Sequence, residues 1–138
     1  MKLRSDIDRI LSEKGADALL LFSESFNDAN MYYMTGFLAP DPFTLMKKIG
    51  SPPTLLINPM EYQRAKEQSI VKDVRSYVEY DYYNIAKSVK DPQTGWLKFA
   101  ASVLKKDIGQ KPLIAVPQGF PALLFDFLRN EGLNVKPF

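Results

Sequence analysis

The sequence predicts one α/β domain layered around a mixed β-sheet. Three observations predict it. Short apolar runs of strand length alternate with segments of helical periodicity. Two of the strands, 43–48 and 54–57, are separated by little more than the turn Gly50-Ser51-Pro52-Pro53, which makes them antiparallel neighbours. The chain has 138 residues, 46% apolar and 25% charged, a balance that lets a single domain bury a core without disulfides or metals.

The elements follow in order. Residues 3–14 read as an amphipathic helix, with Leu3, Ile7, Ile10 and Leu11 at helical spacing and Gly15 as a left-handed cap. Residues 18–22, Ala-Leu-Leu-Leu-Phe, are apolar on both faces and read as a buried central strand. A polar stretch leads into residues 30–37. There Asn30 is a cap candidate, one or two helical turns end at Gly36, and Tyr33 and Phe37 are expected to tuck into the core. Pro40-Asp41-Pro42 forces a loop after Leu38, because neither a helix nor a central strand accommodates two prolines so placed. The strand 43–48 is expected near a sheet edge, and 54–57 is its partner.

Asn58-Pro59-Met60-Glu61 reads as a helix start, with Asn58 capping, Pro59 first in the helix and Glu61 reaching back; the helix runs to Gln68. Residues 71–77 read as a strand. Residues 78–90 fit neither period cleanly, and a tyrosine cluster, Tyr77, Tyr80, Tyr82 and Tyr83, runs into them from the strand before. These tyrosines are expected at the edge of the core or in a subunit contact rather than as a sugar or peptide platform. Asp91-Pro92 opens a helix with the stripe Trp96, Phe99, Ala100, Val103, Leu104 and Ile108. A strand at 113–116, a helix from Pro121 to Asn130 stopped by Gly132, and a last strand at 134–136 complete the series. No stop signal follows that strand, so the native chain is expected to continue beyond Phe138.

Several function classes are excluded or disfavoured. There is no histidine and no cysteine. A serine–histidine triad, a thiol nucleophile and a zinc–thiolate site therefore cannot exist here. The first strand is followed by Ser23-Glu24-Ser25-Phe26, without the glycines of a dinucleotide-binding turn, and no phosphate loop is present. A net charge of +2, with basic residues clustered no further than the pairs Lys47-Lys48 and Lys105-Lys106, gives no footprint for nucleic acid or an anionic membrane. Asp6 and Asp8 are expected on a solvated helix face, Asp41 in a turn role, and Glu79 and Asp81 without partners; none forms a catalytic pair. The first residues are too polar for a signal peptide, the longest apolar run is too short to span a bilayer, and the protein is expected in the cytoplasm.

The segment Asn30-Met31-Tyr32-Tyr33-Met34-Thr35-Gly36-Phe37 resembles the Asn-x-x-Tyr-Leu-Thr-Gly-Phe signature of the N-terminal domain of the creatinase/prolidase/aminopeptidase P family. Asn30, Tyr33, Thr35, Gly36 and Phe37 match, and Met34 stands where leucine is usual, a volume-conserving change. The order of elements agrees along the whole chain. The resemblance implies an RNase H-like α/β layer with a mixed six-stranded sheet and flanking helices. It implies that residues 1–138 are a non-catalytic domain, with the signature residues mainly structural. The catalytic "pita-bread" domain, which holds two divalent metals (manganese, cobalt or zinc) and cleaves the bond before proline, would lie outside this chain. The supporting role would be to form a homodimer and to wall the active site, with Leu38, Pro40, Asp41 and Pro42 gating substrate or making the dimer contact. Partners would be the protein's own C-terminal catalytic domain and proline-containing peptides. A stand-alone peptide- or protein-binding module is the alternative. An independent carboxylate–metal enzyme has no acid cluster to support it.

Overall fold

The computed structural model describes residues 5–138, so the part of the first helix expected at Leu3 and Arg4 lies outside the described residues. The elements are α1 (Ser5–Glu13), β1 (Ala18–Ser23), α2 (Ala29–Thr35), β2 (Phe43–Lys48), β3 (Thr54–Ile57), α3 (Tyr62–Gln68), β4 (Asp73–Ser76), α4 (Tyr82–Lys87), α5 (Pro92–Asp107), β5 (Ile114–Val116), α6 (Ala122–Asn130) and β6 (Val135–Pro137). A 3-10 turn, Tyr77–Tyr80, joins β4 to α4. The six strands form one sheet in the order β4-β3-β2-β1-β5-β6. The β1–β2 and β2–β3 pairs are antiparallel and the other three are parallel. This is the mixed six-stranded α/β sheet expected of the family resembled.

β1 is central, as its two-faced apolar sequence requires. β2 is not near an edge, contrary to expectation. It pairs with β1 along its full length, Ala18 opposite Lys48 to Ser23 opposite Phe43, and with β3 on its other side. The sequence gives it only one short connection, to β3, so the longer-range partner was invisible.

Alternation along the strands sends side chains to two cores. On one face Leu20, Met46, Leu56, Ile114 and Val135 pack beneath α5 and α6. On the other, Leu21, Phe43, Leu45, Leu55 and Ile57 meet Met31 and Met34 of α2, Phe37, and Ala65 of α3. The tyrosine-rich segment belongs to the first core. Tyr77 lies 5.2 Å and Tyr82 4.9 Å from the Phe99 ring, and Trp96 lies 5.2 Å from Phe22. The cluster is an aromatic wall between α4 and α5, with Tyr83 alone more than half exposed.

Local signals place other details differently. The cap of α2 is Asp28, not Asn30; its carboxylate accepts from the backbone N–H groups of Asn30 and Met31 at 2.9 and 3.3 Å. Tyr33 is 53% exposed, because Met31, Met34 and Thr35 form the inward stripe of α2 and Tyr33 lies off it. Its hydroxyl donates to Asp6 at 3.1 Å. Asn58 does cap the backbone N–H of Glu61, at 3.1 Å, but it caps a turn; the helix itself begins at Tyr62, and the Glu61 carboxylate turns to Arg64. Gly36 ends α2 at φ +61°, and a Cβ there would sit 3.2 Å from Ile70 Cγ2.

The largest departure concerns Asp8 and Lys47, both expected on solvated surfaces. The Lys47 side chain is fully buried and forms an ion pair with Asp8, which is 21% exposed. Lys47 shares a strand face with Phe43 and Leu45, so its stem lies in the core while its ammonium reaches α1. The ammonium also donates to the Lys48 carbonyl at 2.9 Å, and Asp8 accepts the Gly50 N–H at 3.0 Å. One carboxylate thus ties α1 to both the β2 strand and the turn after it.

The buried ion pair and the left-handed Gly36 each set an expected stability change. Removing one partner of a buried pair strands the other charge, so Asp8→Ala is expected to lower unfolding stability by about 3 kcal/mol. Lys47→Met, which keeps the stem and deletes the buried charge, should cost less than half of that. Urea midpoints of the two variants check the order. Gly36→Ala is expected to lose about 2 kcal/mol, from the left-handed backbone and the Ile70 contact together; an unchanged midpoint would contradict the strain described.

Candidate functional site

The signature residues divide into two groups. Thr35, Gly36 and Phe37 form a joint. Thr35 is fully buried; its hydroxyl donates to the Met31 carbonyl at 2.8 Å and accepts from the Phe37 N–H at 3.2 Å. Its carbonyl accepts from the Ile70 N–H at 2.9 Å and from the Ser69 hydroxyl at 3.0 Å, which fastens α2 to the segment before β4. Phe37 is fully buried, edge-on to Phe43 at 5.7 Å, with the Arg64 guanidinium over its ring at 4.4 Å. Asn30 and Tyr33 are exposed and face away from this joint, onto a groove described below.

The loop after the signature is held from both sides. Ser25, almost fully buried, donates to the Phe37 carbonyl at 2.6 Å and accepts the Ala39 N–H at 2.8 Å. Arg64 donates to the Leu38 carbonyl at 2.9 Å and is itself paired with Glu61. Ala39 is buried, whereas Leu38, Pro40, Asp41 and Pro42 are exposed. The backbone is thus pinned at 37–39 and projects four side chains into solvent. Phe26, on the turn that carries Ser25, and Met60, beside Glu61, are also exposed, at 61% and 93%. All lie at the carboxyl-terminal end of β1 and β3, the end of an α/β sheet where ligands and partners are usually met.

An open groove of about 290 Å³ lies between α1 and α2. Leu19, Leu21 and Ala115 of the sheet line it, with Ile7, Ile10 and Leu11 from α1 and Met34 from α2. Asn30, Tyr33 and Lys14 supply its polar groups, and Phe138 stands in its wall.

One part-buried acidic network stands out. Asp73, Arg75, Tyr80 and Asp107 form one network. Arg75 donates to Asp73 at 2.9 and 3.0 Å and to Asp107 at 3.2 Å, Thr54 donates to Asp73 at 2.7 Å, and Tyr80 donates to Asp107. Burial opposes ionisation of Asp73, but hydrogen bonds from Arg75 and Thr54 and the Arg75 charge outweigh it and hold the carboxyl below its usual range. Burial, with the hydrogen bond to Asp107, pushes the Tyr80 hydroxyl up to about 12. Both shifts lead away from neutrality, the reverse of what proton transfer near pH 7 needs; the network is a brace between β4 and α5. Glu79 and Asp81, expected without partners, are both engaged. Glu79 accepts the Ser76 N–H at 2.7 Å in a capping box, and Asp81, at φ +61°, accepts from the Asn84 amide at 2.7 Å. Among the described residues no three histidines, cysteines or acids converge on a point. No helix among them is long and apolar enough to cross a membrane.

Sequence reasoning passed over Ser25, Arg64, Asp28 and the Lys47–Asp8 pair. Asp28 was detectable, since an aspartate just before a helical segment is a cap signal. Lys47 was detectable too, at the third position of an alternation that starts with Phe43 and Leu45. Ser25 and Arg64 carry no local signal, because their partners are 12 and 26 residues away.

Comparison with known proteins agrees with this geometry. The family model for the Creatinase/Prolidase N-terminal domain matches residues 4–109. No curated protein sequence matches the chain. The fold superposes on the Creatinase/Prolidase N-terminal domain of an X-Pro dipeptidase from Streptococcus pyogenes with a TM-score of 0.64 and 17% identity, covering 97% of each chain. An aminopeptidase P from Streptococcus thermophilus gives 0.63 and 21%, covering 95% of this chain and 85% of that one. Prolidase from Pyrococcus furiosus gives 0.63 and 14%, covering 95% of this chain. The chain spans 33% of the length of that prolidase. By sequence and by fold, the chain belongs to the Creatinase/Prolidase N-terminal domain family.

Proposed function

We propose that this is the non-catalytic N-terminal domain of a metal-dependent proline peptidase, an Xaa-Pro dipeptidase or aminopeptidase of the cytoplasm. The observation that carries the reading is the combination of the family match with a chain that has no histidine and, among its described residues, no metal-binding cluster. Two divalent metals, manganese, cobalt or zinc, would then be held by a C-terminal catalytic domain of the same protein and would activate water against the bond before proline. This domain would support a homodimer and shape the entrance for proline-containing peptides.

The loop 38–42 is the part of the domain suited to that role. Its prolines limit backbone freedom, and the ties to Ser25 and Arg64 fix where Leu38, Pro40, Asp41 and Pro42 project. A stiff projection set against an active-site mouth excludes long substrates by sterics alone, without an ordering cost at each turnover. The exposed Phe26, Leu38 and Met60 around it also suit a stand-alone protein-binding module, the second reading.

The reading is tested on the longer protein. Peptide hydrolysis before proline should be present there, be lost on chelation and return with manganese, while the 138-residue chain shows none. Replacing Pro40-Asp41-Pro42 by Gly-Ser-Gly should change the ratio of kcat/KM for Xaa-Pro dipeptides over longer peptides by about tenfold, equivalent to ~1.4 kcal/mol. An unchanged ratio would remove the loop from substrate selection.

A further inference from the structure

We propose that the open groove between α4 and α5 is a docking surface for an extended acidic segment of a partner protein. The inference goes beyond the peptidase reading and does not depend on it. Gly95 brings the two helices together, since a Cβ there would lie 3.3 Å from Ala86 Cα. Beside this contact the groove spans about 730 Å³ and reaches Glu131 at the end of α6. Its α5 wall carries Lys98, Ser102, Lys105 and Lys106, all exposed. Residues 81–131, which supply both walls, hold seven lysines and arginines against five aspartates and glutamates. That excess is the whole of the chain's net charge of +2.

The cations are not equally engaged. Lys105 is paired with Glu131 at 3.1 Å, and the Lys106 ammonium sits 5.5 Å from the centre of the Tyr80 ring. Lys98 forms no ion pair among the described residues. Across the groove, Asp81 already accepts from the Asn84 amide at 2.7 Å. Lys98 and Lys105 are seven residues apart, so they share one face of α5 with about 10 Å between them along the axis. In an extended polyproline-like chain, side chains three residues apart share a face with about 9 Å between them. Two carboxylates so spaced meet both ammoniums, with the Ser102 hydroxyl between them as a donor. Among the described residues of these walls only Ile85 is apolar, so recognition rests on charge rather than on burial and is sensitive to salt. Asp81 and Glu131 repel a uniform polyanion such as nucleic acid, whereas a protein segment places a neutral or basic residue opposite them.

Fluorescence anisotropy on the 138-residue chain tests this with two labelled peptides rich in proline and serine. One carries two glutamates three residues apart, and the other carries the same glutamates side by side. At low salt the spaced peptide is expected to bind about fivefold more tightly, the upper worth of one exposed ion pair. Lys98→Ala combined with Lys105→Ala should weaken it about tenfold, and Glu131→Gln, which frees Lys105, should strengthen it about twofold. Raising the salt to ~0.2 M should weaken it severalfold. Lys14→Ala, on α1, should change nothing. Amide chemical shifts on binding should move in α4 and α5. Equal binding of the two peptides, affinity indifferent to the lysine pair, or shifts centred on other elements overturns the inference. So does a single-stranded oligonucleotide that binds the groove more tightly than the spaced peptide, since nucleic acid would then be the occupant.

Discussion

The turn from α2 into β2 governs one whole side of the sheet. Seven residues, 36–42, must carry the chain from the end of a helix to the start of an interior strand, and part of their backbone is buried. Each orphaned buried backbone group would cost about 1–3 kcal/mol. Three small hydroxyl residues prevent this. Thr35 closes the end of α2, Ser25 bridges Phe37 and Ala39, and Ser69 reaches back to the Thr35 carbonyl while accepting the Val71 N–H. All three are buried, and each acts on backbone. The placement of Phe37 in the second core, the anchoring of α3 and the outward projection of Leu38 follow from satisfying this one stretch of chain.

The Asp8–Lys47 pair solves a different problem. α1 is a nine-residue helix whose only buried apolar side chain is Leu11. Apolar contact alone would leave such a helix free to slide or rotate, because the attraction has no direction. An ion pair with a fully buried ammonium, shared with the Gly50 N–H, is directional and fixes α1 at one place over β2.

Much of the architecture was legible in the sequence, and the reasons are local. The strands 18–22 and 54–57 are apolar runs between breakers, Asp91-Pro92 marks a helix start, and Gly36 marks a helix stop. These signals act within a few residues, where capping, backbone restriction and periodicity operate. What escaped notice depends on distant partners. The interior position of β2 needs β1, and the hold on the Leu38 carbonyl needs Arg64, 26 residues later. Tyr33 was placed wrongly because a tyrosine next to a helical stripe does not itself say which side of the stripe it occupies. The candidate site was legible only as a signature. The Thr35-Gly36-Phe37 part is spatially a joint, the Asn30 and Tyr33 part faces a groove, and the side chains that pin the adjoining loop lie in other elements.

The two outer strands carry a consequence for assembly. β6 is three residues long and includes Lys136 and Pro137; β4 is four residues long and carries Asp73 and Arg75. Proline has no N–H to give an incoming strand, and desolvating a charged side chain on a bare edge is unfavourable. Neither edge is a template for a further strand, so the sheet of one molecule is poorly suited to continue into that of another. Association of copies by strand-to-strand pairing, an open-ended route to fibres, is therefore disfavoured at both edges.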